Sequence, residues 1–92
     1  MAFMLMTKRK PATVGEILIE EFMKPLGLTQ EALAKSMGVR RKYVKELCDG
    51  RRNVTAATAR VLARVFGNSS GFWLNAQRRS DIWKAMCLPP NR

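Results

Sequence analysis

Hydrophobic positions recur at helical spacing in successive runs along the chain, and most runs carry a start and a stop signal. In the first, Val14, Ile17, Leu18, Phe22 and Met23 share one face while Glu16, Glu20 and Glu21 mark the wet side, and Pro25 followed by Gly27 predicts the end. Thr29 offers an N-cap hydroxyl to a short second helix, Gln30 to Met37, whose apolar face is Leu33, Ala34 and Met37; Gly38 can take the left-handed conformation that ends it. A third helix from Arg40 to Asp49 buries Val44 and Leu47, stops at Gly50, and carries Arg40, Arg41, Lys42, Lys45 and Glu46 on its other faces. Thr55 caps a fourth helix with Thr58, Val61, Leu62, Val65 and Phe66 inward and Arg60 and Arg64 outward until Gly67. Ser69 or Ser70 caps a fifth through Phe72, Trp73, Leu74 and Gln77; its pattern can continue to Trp83 and Met86, and Pro89-Pro90 ends it. The predicted fold class is all-α, with no internal repeat and no low-complexity segment.

The polar run Thr7 to Lys10 and Pro11 mark a boundary. Residues 1–13 read as a flexible N-terminal arm and 14–92 as one helical domain with a C-terminal helical extension. Met1 to Met6 is apolar but too short for a signal-peptide core, and the positive run Lys8-Arg9-Lys10 follows it rather than preceding it. The arm is either an extension or an upstream start whose natural first residue is Met6. No stretch approaches the roughly 20 apolar residues of a membrane span, so a cytoplasmic protein without a membrane partner is expected.

Charge sharpens the picture. The chain has 92 residues with 17 Lys and Arg against 7 Asp and Glu, a net charge of +10, which points to a polyanionic partner. At 47% hydrophobic residues it is no disordered basic tail. A chain this short leaves little room for a deep pocket, and no nucleophile, base or metal constellation is present, so no enzymatic activity is expected. Cys48 and Cys87 are far apart, without CxxC spacing, and there is no histidine; they read as reduced thiols, and neither a metal nor a cofactor is expected. Glu16, Glu20 and Glu21 read as solvating the first helix.

From Gln30 to Gly50 the residue types meet the demands of a helix-turn-helix. Ala34 is small where two helices cross closely, Gly38 makes the tight turn, Val39 plugs the corner, and Val44 and Leu47 anchor the second motif helix to Leu33 and Met37. A basic helix then protrudes from a rigid wedge. An RNA-binding protein would explain the charge but not this spacing, and the aromatic-rich sheet usual among such proteins is missing.

Thr29-Gln30-Glu31-Ala32-Leu33-Ala34 with Gly38-Val39 resembles the phage-repressor, or Cro/C1-type (XRE), helix-turn-helix family. The resemblance implies a five-helix bundle of the lambda-repressor-like type. A narrower one surrounds it: Val14-Gly15-Glu16-Ile17-Leu18, Glu21-Phe22, Pro25-Leu26-Gly27-Leu28-Thr29-Gln30, Asp49-Gly50-Arg51-Arg52 and Phe72-Trp73-Leu74-Asn75-Ala76-Gln77 are similar to the HigA (VapI-type) antitoxins of type II toxin-antitoxin modules. Ala76 and Ser80 depart from it, standing where that family usually has a leucine and often a tyrosine. The resemblance implies a homodimer that represses its own operon at a double-stranded DNA operator and neutralises a HigB-like RNase toxin. The alternative is a stand-alone repressor of the same fold without a toxin.

In repressors of this fold the start of the second motif helix enters the major groove, which implies Arg40, Arg41 and Lys42, with Glu46 one turn on. Arg or Lys pairs with guanine O6 and N7, and Glu46 would accept from cytosine N4. Gln30 matches the glutamine that grips a backbone phosphate, Arg51, Arg52 and Asn53 would hold neighbouring phosphates, and Tyr43 and Lys45 are placed for either backbone or base edges. Phe72 and Trp73 read as core. Leu74, Ile82, Trp83 and Met86 either form the dimer surface or finish the monomer core.

Overall fold

The computed structural model describes residues 10–87, all of whose regular elements are helical. Most of the arm assigned to residues 1–13, and the Pro89-Pro90 stop, lie outside the described residues. Five helices follow one another: α1, Val14 to Leu26; α2, Gln30–Met37; α3, Arg41–Cys48; α4, Ala56–Phe66; and α5, Ser70–Cys87.

The start of α1 is a capping box: the Glu16 amide donates to Thr13 Oγ1 at 3.1 Å, and the Glu16 carboxylate accepts from the Thr13 amide at 2.9 Å. Glu16 therefore closes the helix end, and Glu20 pairs with Lys24 at 2.9 Å. Helix α1 ends where Pro25 and Gly27 predict, after Leu26, but the turns before Pro25 are distorted. Segment Leu18–Met23 is wound as a π-helix, with the Lys24 amide donating to the Ile19 carbonyl, and Pro25 sits in the final turn before Gly27 ends the helix at φ 63°. In a regular α-helix a proline collides with the carbonyl four residues back; the wider π turn ahead of Pro25 is the distortion that accommodates it.

Thr29, Thr55 and Ser69 each accept from the backbone amide three residues on, capping α2, α4 and α5. The choice between Ser69 and Ser70 thus falls on Ser69. Gly38 turns α2 into α3 at φ 73°, and the Val39 amide donates to the Ala34 carbonyl at 3.0 Å. Helix α3 is one residue shorter at each end than the pattern predicts: Arg40 is extended and Asp49 follows the last turn.

Leu18, Leu33, Val44, Leu47, Leu62 and Trp73 are the largest fully buried side chains. Trp73 packs beside Phe22, Phe66 and Phe72 with ring centroids 5.0–5.9 Å away, and its Nε1–H donates to Asn68 Oδ1 at 2.9 Å. This aromatic lid joins α1, α4 and α5. Ala76 and Ser80 are both buried on the inner face of α5, where Ser80 lines a small cavity of about 30 Å³ with Gly15, Gln77 and Lys84. Cys48 is buried with its thiol 3.9 Å from Met23 Sδ, and Cys87 is an exposed free thiol. No helix among the described residues is long and apolar enough to cross a membrane.

Candidate nucleic-acid interface

Helix α3 is held from behind and left open in front. Val44, Leu47 and Cys48 anchor it in the core, and the second turn rests directly on α1, where Gly15 leaves no room for a side chain: a Cβ there would lie 2.5 Å from the Cys48 carbonyl oxygen. At the front, Arg40 stands at the N-cap position and gives no side-chain cap. Unlike α2, α4 and α5, this helix presents its first amides uncovered by any cap hydroxyl, which adds the positive end of the helix dipole to the cations around it.

Arg40, Arg41 and Lys42 are exposed and, among the described residues, make no ion pair. Arg51 is likewise exposed and unpaired among them; its amide donates to the Glu46 carbonyl at 2.9 Å, fixing the chain as it leaves α3 through Gly50 at φ 78°. Lys45 is different, since its ammonium pairs with Asp49 at 3.0 Å along the exposed side of the helix.

Tyr43, Glu46 and Arg52 form one cluster. Arg52 Nε and Nη2 both donate to Glu46 Oε1, at 3.0 and 2.6 Å, and the guanidinium carbon lies 4.5 Å from the Tyr43 ring centroid. The Tyr43 hydroxyl hydrogen-bonds Thr58 Oγ1, which also accepts from the cap hydroxyl of Thr55. The Arg52 hydrogen bond, aided by the nearby charges of Arg52, Lys42 and Arg51, holds the Glu46 carboxyl below its ordinary range despite partial burial. Glu46 is thus ionised and engaged within the protein. An open concavity of about 280 Å³ is lined by Val39, Arg40, Lys42, Tyr43, Glu46 and Arg52, so the cluster and the start of α3 share one surface.

Two further candidates have polar neighbours. Gln30, at the first turn of α2, is half-buried near the Cys48 thiol, which burial, aided by the charge of Asp49, pushes above the usual thiol range. Asn53 Oδ1 accepts from Gln77 Nε2 at 3.3 Å. Gln77 also accepts from the buried Val54 amide at 2.9 Å and donates to Asp81 at 2.9 Å. Sequence reasoning assigned nothing to Gln77 or to the hydroxyl of Thr58. The one signal for Thr58 was a polar residue in an otherwise apolar inward run. Among the described residues no cluster of three or more side chains is placed to hold a metal ion.

Residues 19–74 match the helix-turn-helix family. The chain is 48% identical over 77 residues to antitoxin HigA-1 of Vibrio cholerae, covering 84% of this chain and 72% of that one. Its fold is similar to the structure of an addiction-module antidote protein of the HigA family from Coxiella burnetii, with a TM-score of 0.80 at 37% identity and 85% of each chain covered. It is also similar to PA4674 of Pseudomonas aeruginosa, a structure solved in complex with its operator DNA, with a TM-score of 0.79 at 32% identity over 82% of this chain and 79% of that one. The chain belongs to the XRE-type helix-turn-helix family, among its HigA-type antitoxins.

Proposed function

We propose that this chain binds the operator of its own operon as a homodimer, represses transcription there, and neutralises a HigB-like RNase toxin. The observation that carries the DNA reading is the front of α3: three cations unpaired among the described residues, Arg40, Arg41 and Lys42, at an uncapped helix end on a rigid wedge. Arg41 and Lys42 enter the major groove, Arg40 flanks them, and Lys45 lies along the edge. Gln30, Arg51 and Asn53 contact the backbone on either side, and Arg52 faces the same DNA from the concavity it shares with Arg40 and Lys42. Relatives of the same fold solved with operator or promoter DNA support the DNA reading.

The dimer reading rests on α5. Leu74, Ile82 and Met86 are 37%, 51% and 56% exposed on the outer side of that helix, with Trp83 half-buried beside Ile82 and Arg78 between Leu74 and Ile82; a second copy would cover these apolar positions. Half-sites about one helical turn apart follow for a two-fold dimer. The toxin reading rests on family membership.

Fluorescence anisotropy with duplex DNA from upstream of the reading frame tests the placement. Arg41→Ala and Lys42→Ala are each expected to weaken operator binding by roughly 5- to 150-fold if they read bases. Unchanged affinity and unchanged sequence preference in both would overturn it. Coexpression with the adjacent reading frame tests the toxin: copurification and rescue of growth are expected, and failure of both leaves a stand-alone repressor.

A further inference from the structure

Arg52 follows Gly50 in a connecting segment, a position from which an arginine would ordinarily sample many rotamers. Here its guanidinium is held on two sides. The Nε and Nη2 edge is spent on Glu46 Oε1, and its face is near the Tyr43 ring, which Thr58 fixes from α4. This leaves the terminal edge, Nη1 with the second hydrogen of Nη2, which can donate two parallel hydrogen bonds. The concavity that Arg52 lines also contains Arg40, Lys42 and Val39. A planar pair of donors there matches the O6 and N7 acceptors of guanine better than it matches an isolated charge.

We infer that Glu46 and Tyr43 are positioning residues that hold Arg52 as a pre-ordered base reader, making Arg52 a determinant of operator sequence rather than a phosphate clamp. Glu46 then acts through Arg52 and touches no base. The inference rests on the DNA reading above and adds to it a source of specificity outside α3. Ordering one long side chain before binding is worth about 2- to 12-fold in affinity.

The test is a double-mutant cycle on operator and scrambled duplexes, using the full chain with Glu46→Ala, Glu46→Gln, Arg52→Ala, Arg52→Lys and Glu46→Ala combined with Arg52→Ala. Removing Glu46 deletes a negative charge, so electrostatics alone would tighten binding to both duplexes. Positioning predicts the opposite on the operator: a loss of about 2- to 12-fold in Glu46→Ala, partial rescue in Glu46→Gln, and no further loss when Arg52 is already alanine. Arg52→Lys keeps the charge but loses the planar fork, so it should forfeit operator preference while retaining affinity for the scrambled duplex. In the free protein, the Arg52 Nε–H resonance should be sharp and slow to exchange, and should broaden in Glu46→Ala; thermal melts establish that each variant is folded.

Tighter binding of Glu46→Ala to both duplexes, or an equal loss with and without Arg52, overturns the positioning role. Retained operator preference in Arg52→Lys overturns base reading in favour of a phosphate contact. If the unsubstituted protein does not prefer its operator, the DNA reading itself falls, and this inference with it.

Discussion

At the scale of single residues, the tightest steric demand falls on Gly15. Its Cα lies against the last turn of α3, so a methyl group would sit 2.5 Å from the Cys48 carbonyl oxygen and 2.7 Å from that of Leu47. These are backbone atoms that cannot swing aside, and they belong to the helix that presents the cations. Gly15→Ala is therefore expected to destabilise the fold by about 1–3 kcal/mol, against the small gain alanine normally brings inside a helix. Each kcal/mol lowers Tm by roughly 4–8 °C in a domain of this size, so a thermal melt decides the matter. An unchanged or raised Tm would mean that α1 and α3 separate more easily than their contact implies. Leu18, Leu33, Val44, Leu47, Leu62 and Trp73 form a closely packed core around the same junction, which leaves few ways to absorb such a shift.

At the scale of elements, local signals and long-range contacts divide what the sequence makes legible. Thr29 and Gly38 bracket α2, Thr55 and Gly67 bracket α4, and the apolar spacing places both helices, because caps and left-handed stops act within one turn. The inward set that the pattern gives α4 omits Ala59, which is fully buried, since a small residue adds little to a hydrophobic pattern. The π segment of α1 is not legible: Pro25 and Gly27 mark where the helix ends, but not the widened turns by which Pro25 is taken into the last turn. The cations at the start of α3 were legible from charge and motif. The clamp on Arg52 and the bond from Gln77 to Val54 were not, because they join residues that only folding brings together. Gln77 gives α5 a task beyond closing the core, since it satisfies the buried Val54 amide and steadies Asn53 beside the interface. Gln77→Leu should cost about 1–3 kcal/mol by orphaning that amide. Hydrogen exchange at Val54 should accelerate in step, and retained protection there would show that another acceptor replaces Gln77.

At the scale of the whole molecule, the net charge of +10 is not spread evenly in effect. Lys24, Lys45 and Arg52 are each balanced by a carboxylate; of the cations unpaired among the described residues, Arg40, Arg41, Lys42 and Arg51 cluster at the start and end of α3, while Lys10, Lys35, Arg60, Arg64, Arg78, Arg79 and Lys84 lie elsewhere. An unpaired exposed cation releases a condensed counterion when it meets a phosphate, so it contributes to the salt dependence of binding. A cation already paired within the protein contributes less. Arg51, whose backbone is fixed by its bond to the Glu46 carbonyl, is proposed as such a phosphate contact. Losing one phosphate contact on duplex DNA lowers the log–log salt slope by about 0.9. If one copy of the chain occupies each operator, Arg51→Ala should flatten the slope by that amount; if two copies bind through the Leu74, Ile82 and Met86 face of α5, each operator loses two contacts and the slope falls by about 1.8. Because Arg51 then serves as a phosphate contact alone, the weakening should be similar on operator and scrambled duplexes. A salt titration of the unsubstituted protein and Arg51→Ala from about 50 to 200 mM thus reads role and stoichiometry together. A change near 1.8 supports the dimer and a change near 0.9 overturns it. No change at all removes Arg51 from the interface and leaves the unpaired cations at the front of α3 to carry the electrostatic part of binding.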